Sequence, residues 1–247
     1  MFKNIIRGLR AYSGTFKLIS DLGLWKYFGV PILISVVIAV LVGFGAYGLS
    51  DNIGGFIAKA WVWEWGSETF RAISDFIGGL IIVALGLILY KHIVLALSAP
   101  FMSPVSEKIE AHITGITPEH RNTSFMAQLW RGIKVNGRNL IMEIFLSIPI
   151  FILGFIPVIG FLSGFLLFFV QSYYAGFGNM DYTLERHLGY TKSVRFVSDH
   201  RGIAIGNGMV FMLMLLIPVI GIILVLPLSV TAATTETVKI LNPSEEK

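Results

Sequence analysis

The chain has 247 residues, of which 55% are hydrophobic and only 14% are charged, and its mean hydropathy is +0.75. An average soluble domain has about 25% charged residues, so these values exclude a soluble globular protein and predict an integral membrane protein. The chain has no cysteine, which excludes disulfides, thiolate metal sites and cysteine nucleophiles. Its net charge of +4 is typical of membrane proteins with basic cytoplasmic loops.

The N-terminal residues are amphipathic and predict no cleavable signal peptide, because their four basic side chains are spread over the stretch: Lys3, Arg7, Arg10 and Lys17. The first apolar run covers about 25–50 and predicts a long transmembrane helix. The following segment, 51–75, is polar and contains Trp61, Trp63 and Trp65, which is typical of a membrane–water interface.

The second apolar run covers about 76–101 and predicts another long transmembrane helix, interrupted by Lys91 and His92. Ser103 and Pro104 have the pattern of an N-cap followed by proline at the first helical position. We therefore expect a separate amphipathic helix to begin there and to end at Gly115.

Two further apolar runs, about 140–177 and 203–235, are each broken near the centre by the string Ile-Pro-Val-Ile-Gly, at 156–160 and 217–221. Each arm has about 15–20 residues, or roughly 22–30 Å at 1.5 Å per residue, which is marginal for a full crossing. We interpret both runs as helical hairpins that dip into the bilayer. The alternative is four short helices that are joined by tight turns.

Basic residues predict the orientation of the chain. Segments 1–26, 102–139 and 178–202 carry five, five and four Lys or Arg residues, whereas 51–75 carries two basic and four acidic residues. The positive-inside rule then places the three basic segments and both termini in the cytoplasm. The predicted fold is all-α: two long transmembrane helices, two membrane-dipping hairpins and amphipathic cytoplasmic helices, in one domain covering 1–247.

The order and spacing of several motifs resemble the CysZ/EI24 family. The motifs are Ser98-Ala99-Pro100-Phe101, Glu107-Lys108-Ile109-Glu110, Thr114-Gly115, Met180-Asp181-Tyr182, the two Ile-Pro-x-x-Gly turns, Pro227 and Ala232-Ala233-Thr234. The resemblance implies a multi-pass protein of the bacterial inner membrane, assembled as a homo-oligomer (a dimer or higher). It also implies a permease for sulfate or a similar oxyanion, which supplies sulfate for cysteine synthesis.

The resemblance implies an oxyanion site at the start of the first long helix, where the family has a Gly-Leu-Arg-Arg-like segment. The matching residues here are Gly23, Leu24, Trp25 and Lys26, so tryptophan and lysine stand in place of the two arginines. A helix N-terminus suits an oxyanion because its N–H groups and dipole attract negative charge. The alternative is a capped helix that Trp25 and Lys26 anchor at the lipid interface.

Four basic residues are candidates for a pathway. Lys91 lies within an apolar run, where ionisable residues usually face a pathway or each other, although it could extend to the interface. Arg131, Lys134 and Arg138 share one helix face and predict a basic vestibule, or a surface for anionic lipid headgroups. We interpret His92 as a packed side chain and Glu143 as an interfacial residue.

No set of residues has the pattern of an enzyme, and we expect no cofactor, no metal and no nucleic-acid partner; the expected partners are an oxyanion, membrane lipids and further copies of the chain. Asp181, Glu185 and His187 are too weak a group to predict a metal site. The alternative function, from a different class, is a membrane scaffold or membrane-shaping protein of the same family that transports nothing.

Overall fold

The computed structural model describes residues 1–58, 67–116, 124–154, 159–217 and 219–242, with the side chains of 49–58, 67, 69–81, 83, 84 and 159 left aside. Apart from turns and short connections, these residues are helical: α1 (Phe2–Arg10), α2 (Thr15–Asp21), α3 (Trp25–Ala58), α4 (Ser67–Thr114), α5 (Phe125–Leu153), α6 (Ile159–His187), α7 (Tyr190–Asp199), α8 (Arg201–Leu215) and α9 (Ile220–Leu241). The three tryptophans of the predicted interface, and the prolines of both repeated strings, lie outside the described residues.

Five stretches among the described residues are long and apolar enough to cross a membrane: Trp25–Gly48, Leu85–Thr114, Phe125–Leu153, Gly160–His187 and Ile220–Leu241. The apolar side chains of α3 support this assignment, because many of them are exposed, including Leu33, Leu41 and Phe44. On a helix that is long enough to cross a bilayer, an apolar surface of this extent is typical of contact with lipid. The all-α membrane class predicted from composition is therefore confirmed.

Helix α4 is continuous through Pro100 and Pro104, so the prediction of a separate helix from Ser103 is wrong. The Ser103 hydroxyl donates to Glu185 of α6 at 2.6 Å, and it does not cap a new helix. Pro100 has no N–H to donate to the carbonyl of Ala96, and α5 approaches at that point. A Cβ on Gly132 would lie 2.7 Å from this carbonyl oxygen, so only glycine fits there.

Helices α5 and α6 pack side by side and meet at one end in a close glycine contact. A Cβ on Gly160 would lie 2.4 Å from the carbonyl oxygen of Gly154. The other end is joined by the pair Arg131–Asp181. Helices α8 and α9 also approach each other closely, because a Cβ on Gly221 would lie 1.8 Å from the Met214 carbonyl oxygen.

The arms are longer than the sequence predicts, because α5 and α6 each have 29 residues and α9 has 22, whereas α8 has 15. The expectation of short arms is therefore wrong for α5, α6 and α9. It failed because we ended each arm where the apolar run ends. Beyond the apolar runs, polar residues continue these helices at the end of the protein that carries the basic segments. There, side chains of neighbouring helices form pairs such as Arg131–Asp181 and Arg186–Glu110.

Candidate functional site

The segment before α3 forms a tight helix-ending turn. Gly23 has φ +60°, and its N–H donates to the Ser20 carbonyl at 3.1 Å, while the Leu24 N–H donates to the Ile19 carbonyl at 2.9 Å. This pair of bonds is a Schellman motif, which ends α2. Ile19 and Leu24 are both fully buried in one apolar cluster, which completes the motif. The amide groups of Gly23 and Leu24 are therefore used to end α2.

The amide groups of Trp25 and Lys26 lie in the first turn of α3, where helix geometry provides no intrahelical acceptor. The Trp25 ring packs between Phe16 and Phe28, at ring-centroid distances of 5.3 and 6.3 Å. Its indole N–H donates to the Ser20 hydroxyl at 3.1 Å. Trp25 therefore packs against residues on both sides of the turn and contributes no positive charge.

Two ammonium groups lie beside the first turn of α3. Lys26 Nζ is 5.4 Å from the centre of the Tyr27 ring, and Lys108 Nζ of α4 is 5.5 Å from the same ring. Both lysines are exposed. The first turn of α3 thus combines amides that lack an intrahelical acceptor with two cations from different helices near Tyr27, which is a suitable arrangement for an oxyanion.

A second polar cluster is fully buried between α4 and α5, within two candidate membrane spans. Lys91 Nζ donates to Glu143 Oε1 at 2.6 Å, and to the Gln171 carbonyl of α6 at 3.1 Å. The other carboxylate oxygen of Glu143 lies 2.9 Å from His92 Nε2. Lys91 and Glu143 have no exposed surface, so the interpretation of Glu143 as interfacial is wrong, and Lys91 does not extend to the interface.

This buried cluster is only partly satisfied. Among the described residues, we find no hydrogen-bond partner for three buried atoms nearby: His92 Nδ1, Asn139 Nδ2 and Ser147 Oγ. Ser147 also lines an apolar cavity of about 190 Å³ between α4, α5 and α6, and Gln171 lines it too. Polar groups at this depth are costly, so their concentration on one helix face indicates a function.

The three basic residues of α5 do share one face, which contacts α6 and α7. Arg131 forms a bidentate pair with Asp181, at 3.1 and 2.8 Å, and also donates to the Leu188 carbonyl and the Ser193 hydroxyl. Lys134 Nζ lies 4.4 Å from the Tyr190 ring centre, and the Arg138 guanidinium lies 5.7 Å from that of Phe177. Arg131 joins helices, whereas Lys134 and Arg138 are partly open to solvent.

The carboxylates of Asp181 and Glu185 are held by protein groups, and so is the His187 ring. Asp181 accepts from Arg131, Glu185 accepts from Ser103, and His187 lies 2.6 Å from Glu110. Arg186 pairs with the other oxygen of Glu110 at 2.7 Å. No cluster suited to a metal ion occurs among the described residues.

Two residues of the candidate sites were not assigned there from the sequence, because Lys108 was not considered and Glu143 was interpreted as interfacial. Lys108 has no local signal, because only the antiparallel packing of α3 and α4 brings it beside Tyr27. Glu143 did have a signal. It follows Asn136 and Asn139 at intervals of seven and four residues, so the three share one face of an otherwise apolar helix, and all three are buried.

Comparison with known proteins agrees with the predicted family. Residues 11–226 match the family model described as "Sulfate transporter CysZ/Etoposide-induced protein 2.4". A relative named "Sulfate transporter CysZ" from Pseudomonas syringae pv. tomato (strain ATCC BAA-871 / DC3000) is 29% identical over 141 residues. That alignment covers 56% of this chain and 55% of the relative, so the chain matches about half the length of that protein.

Proposed function

Because this chain belongs to the CysZ/EI24 family, we propose that it is a transporter or channel for sulfate or a related oxyanion. We place it in the bacterial inner membrane, where it would work as a homo-oligomer and supply sulfate for cysteine synthesis. The observation that carries the proposal is the first turn of α3, with its open amides and two adjacent lysines.

The oxyanion would bind to the backbone N–H groups of Trp25 and Lys26. Gly23 and Leu24 would act indirectly, because their amides end α2 and thereby fix where α3 begins. Left-handed backbone at Gly23 is required for this turn. Gly23 and Leu24, which match the family's Gly-Leu pair, would therefore position the first turn of α3, and the positive charge of the site would come from other residues.

Lys108 would supply the positive charge that Trp25 does not. The family segment has two adjacent arginines, whereas this chain has one lysine in α3 and a second lysine contributed by α4. Both ammonium groups lie within 5.5 Å of the Tyr27 ring centre. An ammonium is a compact charge without the bidentate fork of arginine, so we expect the site to distinguish poorly among tetrahedral oxyanions.

The route across the membrane would follow the polar face of α5. Lys134 and Arg138 would attract anions at the basic side, and Lys91 would provide a counter-charge at depth. Contact between Lys91 and Glu143 would close this route in the present conformation, since the pair leaves no exposed surface. We also propose that α5–α6 and α8–α9 are the hairpins that dip into the bilayer from the cytoplasmic side.

The test is uptake of radiolabelled sulfate into proteoliposomes at several sulfate concentrations, with empty liposomes as background. Lys26→Ala and Lys108→Ala should each raise the half-saturating concentration about tenfold, as expected for one lost charge-assisted contact of about 1.5 kcal/mol. Lys192→Ala is the matched control, because Lys192 is an exposed lysine on α7. Saturable uptake that is unchanged in both variants would contradict this site.

A second candidate function is a scaffold that transports nothing. It is favoured by Trp25, which stands in place of a family arginine and is fully engaged by Phe16, Phe28 and Ser20. Absence of flux for sulfate, sulfite and thiosulfate, in vesicles with verified protein incorporation, would establish this alternative over transport.

A further inference from the structure

A separate cleft lies between α1 and the last turns of α9. Its volume is about 750 Å³, and its lining comes from α1, from the turn after α1 and from the residues of α9 near Glu236. Ligand sites commonly have volumes of about 300–1,000 Å³. The cleft is therefore large enough for a small polar group, and the proposed transport site does not include it.

The cleft is strongly basic. Among the lining residues that the structure describes, four are cationic (Lys3, Arg7, Arg10 and Lys239) and one is acidic (Glu236). Glu236 is nearly buried and pairs with Arg7 at 2.5 Å and with Lys239 at 3.0 Å. One carboxylate cannot balance four cations, so the cleft has an excess of three positive charges. An anion with two or more oxygen acceptors complements it.

The cleft has a fixed shape, because α1 packs against α8 through glycines. A Cβ on Gly8 would lie 2.6 Å from the Ile203 carbonyl oxygen, and one on Gly206 would lie 2.2 Å from the Ile5 carbonyl oxygen. Such close backbone contact holds α1 in place. The basic side chains of α1 are therefore presented on a rigid support.

The position of the cleft favours a lipid headgroup over a free anion as its ligand. Lys239 is in the last turn of α9, a candidate membrane span that ends at Leu241. This position at the end of a span would place the cleft at the level of the lipid headgroups. Phe2 lines the same cleft and is 75% exposed. An aromatic ring beside a basic cleft at this level suits contact with the upper part of an acyl chain.

We propose that this cleft binds the phosphate-bearing headgroup of an anionic phospholipid. The phosphate would lie between the α1 cations Lys3 and Arg10 and the pair Arg7–Glu236, and Phe2 would contact the glycerol and acyl region. A lipid bound there would connect α1 to α9, so the stability of this packing would depend on the lipid composition of the adjacent leaflet.

The test uses the full chain purified in a neutral detergent and measures thermal unfolding during titration with short-chain phosphatidylglycerol. Short-chain phosphatidylcholine, inorganic phosphate and sulfate are titrated in parallel. The variant is Lys3→Gln with Arg10→Gln, which leaves the Arg7–Glu236 pair intact. The matched control is Lys17→Gln with Lys192→Gln, which removes the same charge from exposed residues elsewhere.

We expect phosphatidylglycerol to stabilise the parent chain and the control equally, and its half-saturating concentration to rise about tenfold in the cleft variant. Equal responses in the cleft variant and the control would overturn the site, because net charge alone would then explain binding. Equal stabilisation by phosphatidylcholine would also overturn it. If inorganic phosphate or sulfate stabilises as strongly as phosphatidylglycerol, with the same loss in the cleft variant, the cleft takes a free anion and the lipid assignment is wrong.

Discussion

Helix α5 carries two ion pairs that serve different purposes. Near its start, Arg131 pairs with Asp181 and also donates to the Leu188 carbonyl and the Ser193 hydroxyl. Further along, Glu143 pairs with Lys91 without any exposed surface, and polar atoms around it have no partner within the described part of the chain. The outer pair, in which Arg131 makes four hydrogen bonds, links α5 to neighbouring elements. The inner pair bears a large desolvation cost and is incompletely satisfied, as expected of a site retained for function.

The largest effect is expected from removal of one charge of the buried pair Lys91–Glu143. Glu143→Ala leaves the Lys91 ammonium buried without its counter-charge, and we expect unfolding to become easier by about 3–5 kcal/mol. The measurement is denaturant or thermal unfolding in detergent micelles. The paired variant Lys91→Met with Glu143→Leu should recover most of the stability, since apolar replacement of a buried pair is often neutral.

The same paired variant separates structure from function. If the inner pair is needed for transport, the recovered protein should still fail to take up sulfate. Normal uptake by a stable Lys91→Met, Glu143→Leu protein would mean that the inner pair has only a packing role, and the distinction between the two pairs would disappear.

Removal of the outer pair, Arg131–Asp181, should cause a smaller loss of stability. Arg131→Ala removes a bidentate contact from a partly exposed position, and we expect a cost of about 2 kcal/mol. Uptake by the protein that remains folded should keep its half-saturating sulfate concentration. A large rise in that concentration, with little loss of stability, would place Arg131 in the anion pathway.

Substitution of Gly23 tests whether sulfate affinity depends on the position of the first turn of α3 or only on the positive charge near it. Gly23→Ala should cost about 1–2 kcal/mol because alanine is strained at φ +60°, and it should weaken sulfate uptake by displacing the first turn. Gly115→Ala is a close control, since Gly115 has φ +67° and open space around it, as Gly23 does. The control should lose similar stability and keep its sulfate affinity; equal loss of affinity in both variants would argue against a positioning role.

The smallest effect is expected at Lys134. Its ammonium packs on the Tyr190 ring and is otherwise exposed, so Lys134→Ala should change stability by no more than about 0.5 kcal/mol. Uptake should fall at low ionic strength and approach the parent value at high salt, because exposed charges attract anions over a screened distance. A loss that does not depend on salt would indicate direct contact with the anion.

The membrane class and the placement of most helices could be predicted from the sequence, because apolar runs and basic segments are local properties of the chain. Continuity of α4 could not, since Ser103 and Pro104 have a genuine helix-start pattern that contacts with α6 override. The roles of Gly23 and Leu24 could also be assigned only from the structure. Glycine before a helix predicts a turn, whereas only the observed bonds reveal that both amides are occupied.

The uninterrupted course of α4 has a mechanical consequence. Lys91 and Lys108 are on this one helix, 17 residues apart in sequence, which is about 26 Å along an α-helix. One lysine lies beside the proposed oxyanion site and the other lies in the buried pair with Glu143. A shift of α4 along its axis would therefore move both lysines together, and would link the proposed oxyanion site to the buried pair with Glu143.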